Sequence, residues 1–348
     1  AARAEAKIRM LRAERELLLG GDPQKAGREL AAAQKALAGE GAEYAPLGET
    51  FPSTSTGRRL ALAKWIASPD NPRTARVAVN HIWLRHFGAA LVPSVANFGP
   101  AGKKPAHPEL LDWLATELVG NGWSMKHLHR LIVTSAAYRR SSKPASAGDR
   151  ENRFYTRMNP RRMEAEVVRD SIRHLAGNLD QTMGGIELDE KRGESSARRS
   201  LYFRATPDGQ MDLAAAFDGA NPNACYEREV SVVPQQSLAL FNGGLALDNA
   251  RQLAANLSRE CGGLPEQDGH FVQAAYGRIL GRDPSREESA MLLEFLANQR
   301  GLLADPGALE KFTRGGTSKI APSGDPIQRA RENLVHALFN HNEFITIR

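Results

Sequence analysis

Prolines and glycines divide this chain of 348 residues into segments of helical length. Pro23, Pro108 and Pro326 each begin an apolar or alanine-rich segment. Proline fits the first position of a helix because the N–H that it lacks would have no helical acceptor there. Gly88 follows another such segment, and glycine ends helices because it adopts the left-handed conformation without strain. This pattern predicts a mainly α-helical, multi-helix globular protein.

Apolar periodicity between these signals predicts the individual helices. A short run, Leu201 to Phe203, is the only one with strand character. The predicted helices cover residues 3–19 and 23–38, 58–67, 74–87, Pro108 to the glycines at 120–122, Ser124 through Tyr138, Pro160 to Ala176, Pro234 through Leu257 with an interruption at Gly243, and the segments that follow the caps Ser285 and Asp325.

The same pattern predicts how the chain is divided. Residues 1–56 read as an N-terminal helical hairpin followed by a Pro/Ser/Thr-rich linker. Residues 57–348 read as a single large helical domain with a minor β/loop insertion around residues 178–232. Hydrophobic residues make up 41% of the chain and charged residues 25%, which are ordinary values for a protein with a packed core.

Arginine carries much of the formal net charge of +6. It occurs in adjacent pairs, which suits recognition of phosphate, sulfate or carboxylate because a guanidinium group binds planar anions with two parallel hydrogen bonds. The alternative is that these side chains are solvated, or that they bind buried carboxylates and helix-end carbonyls. No basic run or RNA-binding signature predicts nucleic-acid binding. The pairs are Arg58-Arg59, Arg139-Arg140, Arg161-Arg162 and Arg198-Arg199.

Several classes of site are disfavoured by the residues themselves. Cys225 and Cys261 form no C-x-x-C or C-x-x-C-H motif, so the sequence predicts no zinc ribbon and no covalently attached haem. Whether these two cysteines pair is open. No segment reaches the roughly 20 apolar residues of a membrane span. A start at Ala-Ala-Arg indicates a mature or excised fragment.

Glu164 is the most informative acidic residue. On a helix from Pro160 to Ala176, it would project among Met163, Val167 and other apolar side chains of one face. A carboxylate there needs a partner because burying an unpaired charge is costly. One hypothesis is a buried ion pair with an arginine such as Arg59, Arg130 or Arg199, and the other is a general acid or base.

The predicted helix over 74–87 is apolar on every side, and it also carries Arg76, Asn80 and His81. These polar groups must find partners, and the five-residue spacing of His81 and His86 disfavours a metal site on this helix. The candidates for catalysis are therefore Glu164 and His81, and no metal site is predicted. The candidates for ligand binding are Arg59, Arg76, Asn80, His107, Arg130, Arg161 and Arg199.

A set of motifs resembles a known family. They include the segments 57–63, 76–88 and 107–114, together with 123–139 and 234–240, which read GRRLALA, RVAVNHIWLRHFG, HPELLDWL, WSMKHLHRLIVTSAAYR and PQQSLAL. Together they resemble the planctomycete-type C-terminal domain of unknown function, of PSD type, that accompanies planctomycete cytochrome-c-like domains. The resemblance runs from about Gly57 to Phe344.

This resemblance implies an exported multidomain protein in a periplasmic or cell-surface location. Any haem would belong to a separate upstream domain of the same polypeptide, and no catalytic residues transfer from the family. It also implies a role with external glycans. We therefore expect a binding or assembly module with an arginine-lined site for an anionic polysaccharide. The alternatives are a carbohydrate-active hydrolase that uses Glu164 as acid or base, and a docking domain for a cytochrome c partner.

Overall fold

The computed structural model describes residues 2–38, 54–143, 149–224, 228, 230–309 and 318–347. Within these residues the fold is mainly helical, as predicted, with a single sheet of two short strands. The elements are α1 (Ala2–Leu18), α2 (Pro23–Ala38), α3 (Arg58–Ala67), α4 (Thr74–Phe87), α5 (Pro108–Gly120), α6 (Met125–Thr134), β1 (Arg161–Arg162), α7 (Ala165–Leu175), α8 (Asp212–Ala216), α9 (Pro234–Asn242), α10 (Gly244–Cys261), α11 (Asp268–Leu280), α12 (Arg286–Leu303), α13 (Pro326–Phe339) and β2 (Thr346–Ile347).

The chain forms two compact units that divide after Ile66. In the first unit, α1 and α2 pack against each other, and Ala13 and Ala26 have no exposed surface. Alanine favours the helix at these positions because it loses no side-chain entropy on folding. Most of the predicted linker, residues 39–53, lies outside the described residues, and the predicted domain boundary near residue 57 stays a prediction.

The second unit contains two hydrophobic clusters. One lies among α4, α5 and α6 and includes Phe87 and Leu118. The other lies among α7, α10, α11 and α13 and includes Phe271 and Phe339. Each of these side chains is almost completely buried, and each contributes roughly 1.5–3 kcal/mol through removal of apolar surface from water.

Two predicted helix boundaries and one predicted strand differ from the structure. Helix α7 begins at Ala165 and not at Pro160, because residues 161–162 form β1 and pair antiparallel with β2. In the run 201–203, which the sequence gives strand character, residues 201–202 belong to a 3-10 turn, Ser200–Tyr202, and Phe203 forms an isolated parallel bridge with Leu188. Helix α6 ends at Thr134, because Ser135 adopts an extended conformation, so the helix does not reach Tyr138.

The insertion at 178–232 is organised by one arginine of α7. Arg169 is 1% exposed, and its guanidinium group donates hydrogen bonds to the backbone carbonyls of Gly193, Ser196 and Arg198. Burial and the nearby charge of Arg173 lower the pKa of Arg169 to about 10, while Asp170 opposes the change, so the group stays protonated at neutral pH. A buried cation thus holds an irregular segment by its carbonyl oxygens.

Two smaller findings concern predictions from composition. No helix within the described ranges is both long enough and apolar enough to cross a membrane. Cys261 is a free thiol at the end of α10, and Cys225 lies outside the described residues.

Candidate functional site

A cleft of about 480 Å³ opens in the second unit between the end of α4, strand β1 and the start of α9. We call it the arginine cleft, because four arginines and two carboxylates stand among its described lining residues and leave it with a net positive charge. Its charged lining residues are Arg85, Arg161, Arg162, Glu164, Asp218 and Arg228.

The end of α4 fixes one wall of the arginine cleft. Gly88 adopts the left-handed conformation with φ at 72°, and its N–H donates to the Leu84 carbonyl at 2.8 Å. Two side chains from the segment before α7 then donate to the last carbonyls of α4. Asn159 Nδ2 lies 3.0 Å from the Phe87 oxygen, and Arg161 donates to the Arg85 oxygen. Donors at this position stabilise the helix because its carboxyl end carries a partial negative charge.

Two acids at the start of α7 are bound to two arginines. Glu164 occupies the N-cap position, where its carboxylate lies 2.6 Å from Arg85 and 3.7 Å from Arg228. Arg228 also forms a two-pronged ion pair with Glu166, with contacts of 2.7 and 3.0 Å. Burial, the largest single influence, would raise the pKa of Glu166, but the hydrogen bonds from Arg228 together with the charges of Arg228 and Arg85 outweigh it and hold this pKa below its ordinary value.

The placement of Glu164 corrects the sequence prediction. Its side chain is 38% exposed at the helix start, so it is not enclosed in the middle of an apolar face. Its partners, Arg85 and Arg228, are also not the three arginines named from the sequence. Glu164 does pair with arginine, as one of the two hypotheses states. The partners differ from those named because β1 displaces the start of α7 by several residues.

Donor groups without partners converge on the same cleft. Among the residues that the structure describes, the Arg162 side chain contacts neither a carboxylate nor a carbonyl oxygen. The Nε–H groups of Arg161 and Arg228 are buried and lack an acceptor in the described part of the chain. Buried donors are nearly always satisfied in folded proteins, so unsatisfied ones mark a place where an acceptor can bind.

The opposite wall is held by an aspartate in a strained conformation. Asp218 has φ at 53°, and its carboxylate accepts hydrogen bonds from the backbone N–H and hydroxyl group of Ser231 at 2.7 and 2.8 Å. Gln236 donates to the same carboxylate at 3.3 Å, while its own Oε1 is buried without a described donor. Asp218 therefore serves to shape the wall, and its charge is turned toward the Ser231 segment.

Other residues predicted for binding have structural partners. Arg76 bonds to Asp112 at 2.6 Å, which links α4 to α5. Asn80 has no exposed surface, and its amide exchanges two hydrogen bonds with the backbone of Val92. The ring of His107 bonds to the Arg153 carbonyl at 2.7 Å. These contacts give each of the three a partner within the fold, and all three lie outside the arginine cleft.

The remaining candidates are dispersed. His81 is half-buried on α4, Arg130 is exposed on α6, and Arg59 is exposed on α3 in the first unit. Arg199 is 41% exposed and lies 4.0 Å from Asp170, in a separate cleft along α7. Of the nine residues proposed from the sequence for catalysis or ligand binding, Glu164 and Arg161 are therefore the two that meet in the arginine cleft.

Two histidines contact each other near the end of α4. His86 Nε2 is 2.8 Å from His129 Nδ1, and the two rings are tilted edge to face. Burial, followed by the charges of His129 and Arg161, lowers the pKa of His86. Across the described ranges, no group of three or more potential ligand side chains could hold a metal ion.

The elements that line the arginine cleft lie within a segment that matches a known protein family. The family model PSD1, described as a protein of unknown function (DUF1553), matches residues 58–296, which is more than half of the chain. The chain belongs to this family. The match covers α4, β1, α7 and α9, so every element that lines the arginine cleft lies within it. No curated protein and no solved structure matches the chain.

The family membership confirms the coarser part of the sequence resemblance, which is the domain of unknown function itself. The accompanying cytochrome-c-like domain and the exported location stay predictions. Arg85 and Arg228 are absent from the candidates named from the sequence, and Arg162 occurs there only in the pair Arg161-Arg162. The pair Arg161-Arg162 was a visible signal, whereas nothing around Arg228 distinguishes it from other loop arginines.

Proposed function

We propose that this chain is a non-catalytic binding module of an exported multidomain protein, and that the arginine cleft binds a sulfate or carboxylate group of an anionic glycan. The observation that carries the proposal is the set of unused donors in one cleft: the Arg162 guanidinium group and the buried Nε–H groups of Arg161 and Arg228. Guanidinium donors bind such oxyanions by charge-assisted hydrogen bonds, which are about twice as strong as neutral ones.

Glu164, which lines the cleft, and the neighbouring Glu166 support binding over catalysis. Glu164 and Glu166 each receive donors from arginine, and Arg228 lowers the pKa of Glu166 despite its burial. A general acid in glycoside hydrolysis instead needs a carboxyl group whose pKa is raised toward neutrality. The two ion pairs also fix Arg85 and Arg228 in place, so the cleft is preorganised for an anion.

Calorimetry on the whole chain tests the proposal. Sodium sulfate, galacturonate oligomers and sulfated oligosaccharides are titrated into the wild type and into Arg162→Gln. We expect heat of binding with at least one anionic glycan, and roughly tenfold weaker binding after loss of one charged donor. Arg130→Gln is the control, because it removes the same charge at an exposed position outside the cleft. Absence of heat with every anionic glycan would refute the proposal.

A hydrolase remains the second candidate, because Glu164 lines two open clefts and is partly exposed. Release of reducing ends from anionic polysaccharides by the wild type, and its loss in Glu164→Gln, would favour the hydrolase. A docking role for a cytochrome c partner rests on the family resemblance alone. Co-purification of a haem protein with the chain tests that role.

A further inference from the structure

We infer that the arginine cleft is one end of a longer groove that holds an extended anionic polysaccharide, with successive negative groups near Arg162, Arg204 and Arg199. This inference rests on the proposed function and deepens it, because it concerns the length of the ligand. It comes from three clefts that share walls.

The three clefts follow one another along α7. A second cleft of about 340 Å³ shares Glu164 and Arg228 with the arginine cleft. A third cleft, of about 540 Å³, shares Glu166 and Leu201 with the second. The arginine cleft touches the residues just before α7, whereas the third cleft extends along the helix to Leu175. Since α7 has 11 residues, this helix alone contributes about 16 Å of groove.

Each cleft has an arginine that is weakly held by the protein. Arg204, in the second cleft, is 45% exposed and meets Glu187 at 3.4 Å, where the carboxylate is 69% exposed. Arg199, in the third cleft, lies 4.0 Å from Asp170. Exposed ion pairs of this kind contribute roughly 0–1 kcal/mol, so an anionic ligand can replace the carboxylate at little cost.

Features of the groove favour a polysaccharide over other polyanions. Single-stranded nucleic acid is held by stacking of bases on exposed aromatic rings. The phenyl rings in the described linings, of Phe203, Phe217 and Phe344, are all at least nine-tenths buried, and His174 has the one exposed aromatic ring among the described lining residues. An extended peptide is often held by strand addition, and β1 has only two residues in the described structure. Recognition by separated guanidinium groups suits a chain that carries its charges at intervals.

A chain-length series tests this inference. Heparin oligosaccharides of defined length, from disaccharide to octasaccharide, and sodium sulfate are titrated into the whole chain by calorimetry. We expect affinity to rise at least tenfold along the series, because linked groups bind the clefts cooperatively through effective concentration. Arg204→Gln should weaken octasaccharide binding roughly tenfold and leave disaccharide binding unchanged. Arg162→Gln should weaken both, and Arg130→Gln neither.

The outcomes separate the two proposals. Equal affinity at all lengths, with no effect of Arg204→Gln, would overturn the extended groove and leave the anion site of the arginine cleft intact. No binding of any probe would overturn both. Tighter binding of oligodeoxythymidylate or polyglutamate than of an octasaccharide would overturn the assignment to polysaccharide. Thermal unfolding of each variant verifies that lost binding does not reflect lost folding.

Discussion

Replacement of Arg331 by methionine removes the cation at the centre of a buried charge network. Arg331 is 1% exposed, and its guanidinium group donates to Asp268 at 2.8 and 3.0 Å. It also donates to the carbonyls of Gly262 and Leu264 at 2.7 and 3.0 Å. Methionine fills similar space with apolar atoms, so Arg331→Met leaves Asp268, which is 4% exposed, with a less complete set of donors.

The structure sets the size of the expected loss. Removal of one partner from a buried ion pair costs about 3–5 kcal/mol, because the other charge remains desolvated. Arg300 still pairs with Asp268 and moderates this cost. The two carbonyls that lose Arg331 form part-buried contacts, so they add less than the roughly 1–3 kcal/mol that a fully buried unsatisfied acceptor costs. We therefore expect the free energy of unfolding of Arg331→Met to fall by about 3–4 kcal/mol.

Urea denaturation followed by circular dichroism measures this loss, and a double-mutant cycle identifies its origin. The double variant Arg331→Met with Asp268→Asn removes both charges of the pair, so its loss should be smaller than the sum of the two single losses by about 0.5–3 kcal/mol. Arg130→Met, at an exposed site, should change stability by about 0.5 kcal/mol or less. A loss below about 1 kcal/mol for Arg331→Met, or strict additivity in the cycle, would refute the reasoning.

Three further results are expected from other charged and polar groups. Asn80→Ala leaves the N–H and carbonyl of Val92 buried without their amide partner, and urea denaturation should show a loss of about 2–3 kcal/mol. Arg282, and then the Ser285 N–H, lower the pKa of Glu288 to about 2, so this carboxylate stabilises the fold above pH 4.5 and the contribution disappears as pH falls toward about 2. Because the pair is partly exposed, Glu288→Gln should cost about 0.5–1 kcal/mol at pH 7 and nothing at pH 2, and a pH-independent difference would contradict this account. Arg162→Gln should leave the melting temperature unchanged or slightly higher while it weakens anion binding, because Arg162 forms no described ion pair and lies among other cations.

Local sequence signals were sufficient for most of the helices. Helices α3 and α4 begin and end where the sequence predicts, and the Gly243 interruption separates α9 from α10. The capping box of Ser285 and Glu288 also forms at the start of α12. Such signals succeed because capping and proline placement depend on residues only a few positions apart. They require no knowledge of tertiary contacts.

The prediction of where α7 begins failed because that boundary depends on residues far away in the chain. Arg161 pairs with Ile347 and Arg162 with Thr346, and the N–H of Met163 bonds to the Ile345 carbonyl at 2.8 Å. These partners come from the other end of the chain, and no local pattern around Pro160 predicts them. Because residues 161–162 form a strand, Glu164 occupies the N-cap of α7 and not a position on its face. The most important error about the site thus followed from one long-range pairing.

The paired arginines explain why unpaired guanidinium groups could be predicted from the sequence but not located. Successive side chains on an extended backbone point in opposite directions, so two adjacent arginines cannot both satisfy the same internal acceptors. In one pair, Arg161 donates to the end of α4 while Arg162 has no described acceptor. In another, Arg198 donates to the carbonyls of Thr182 and Gly184 and stacks on Tyr202, while Arg199 only approaches Asp170. One member of each of these two pairs holds the fold and the other is left for solvent or ligand. The sequence therefore indicated that some guanidinium groups would lack internal partners, and the fold decided where they lie.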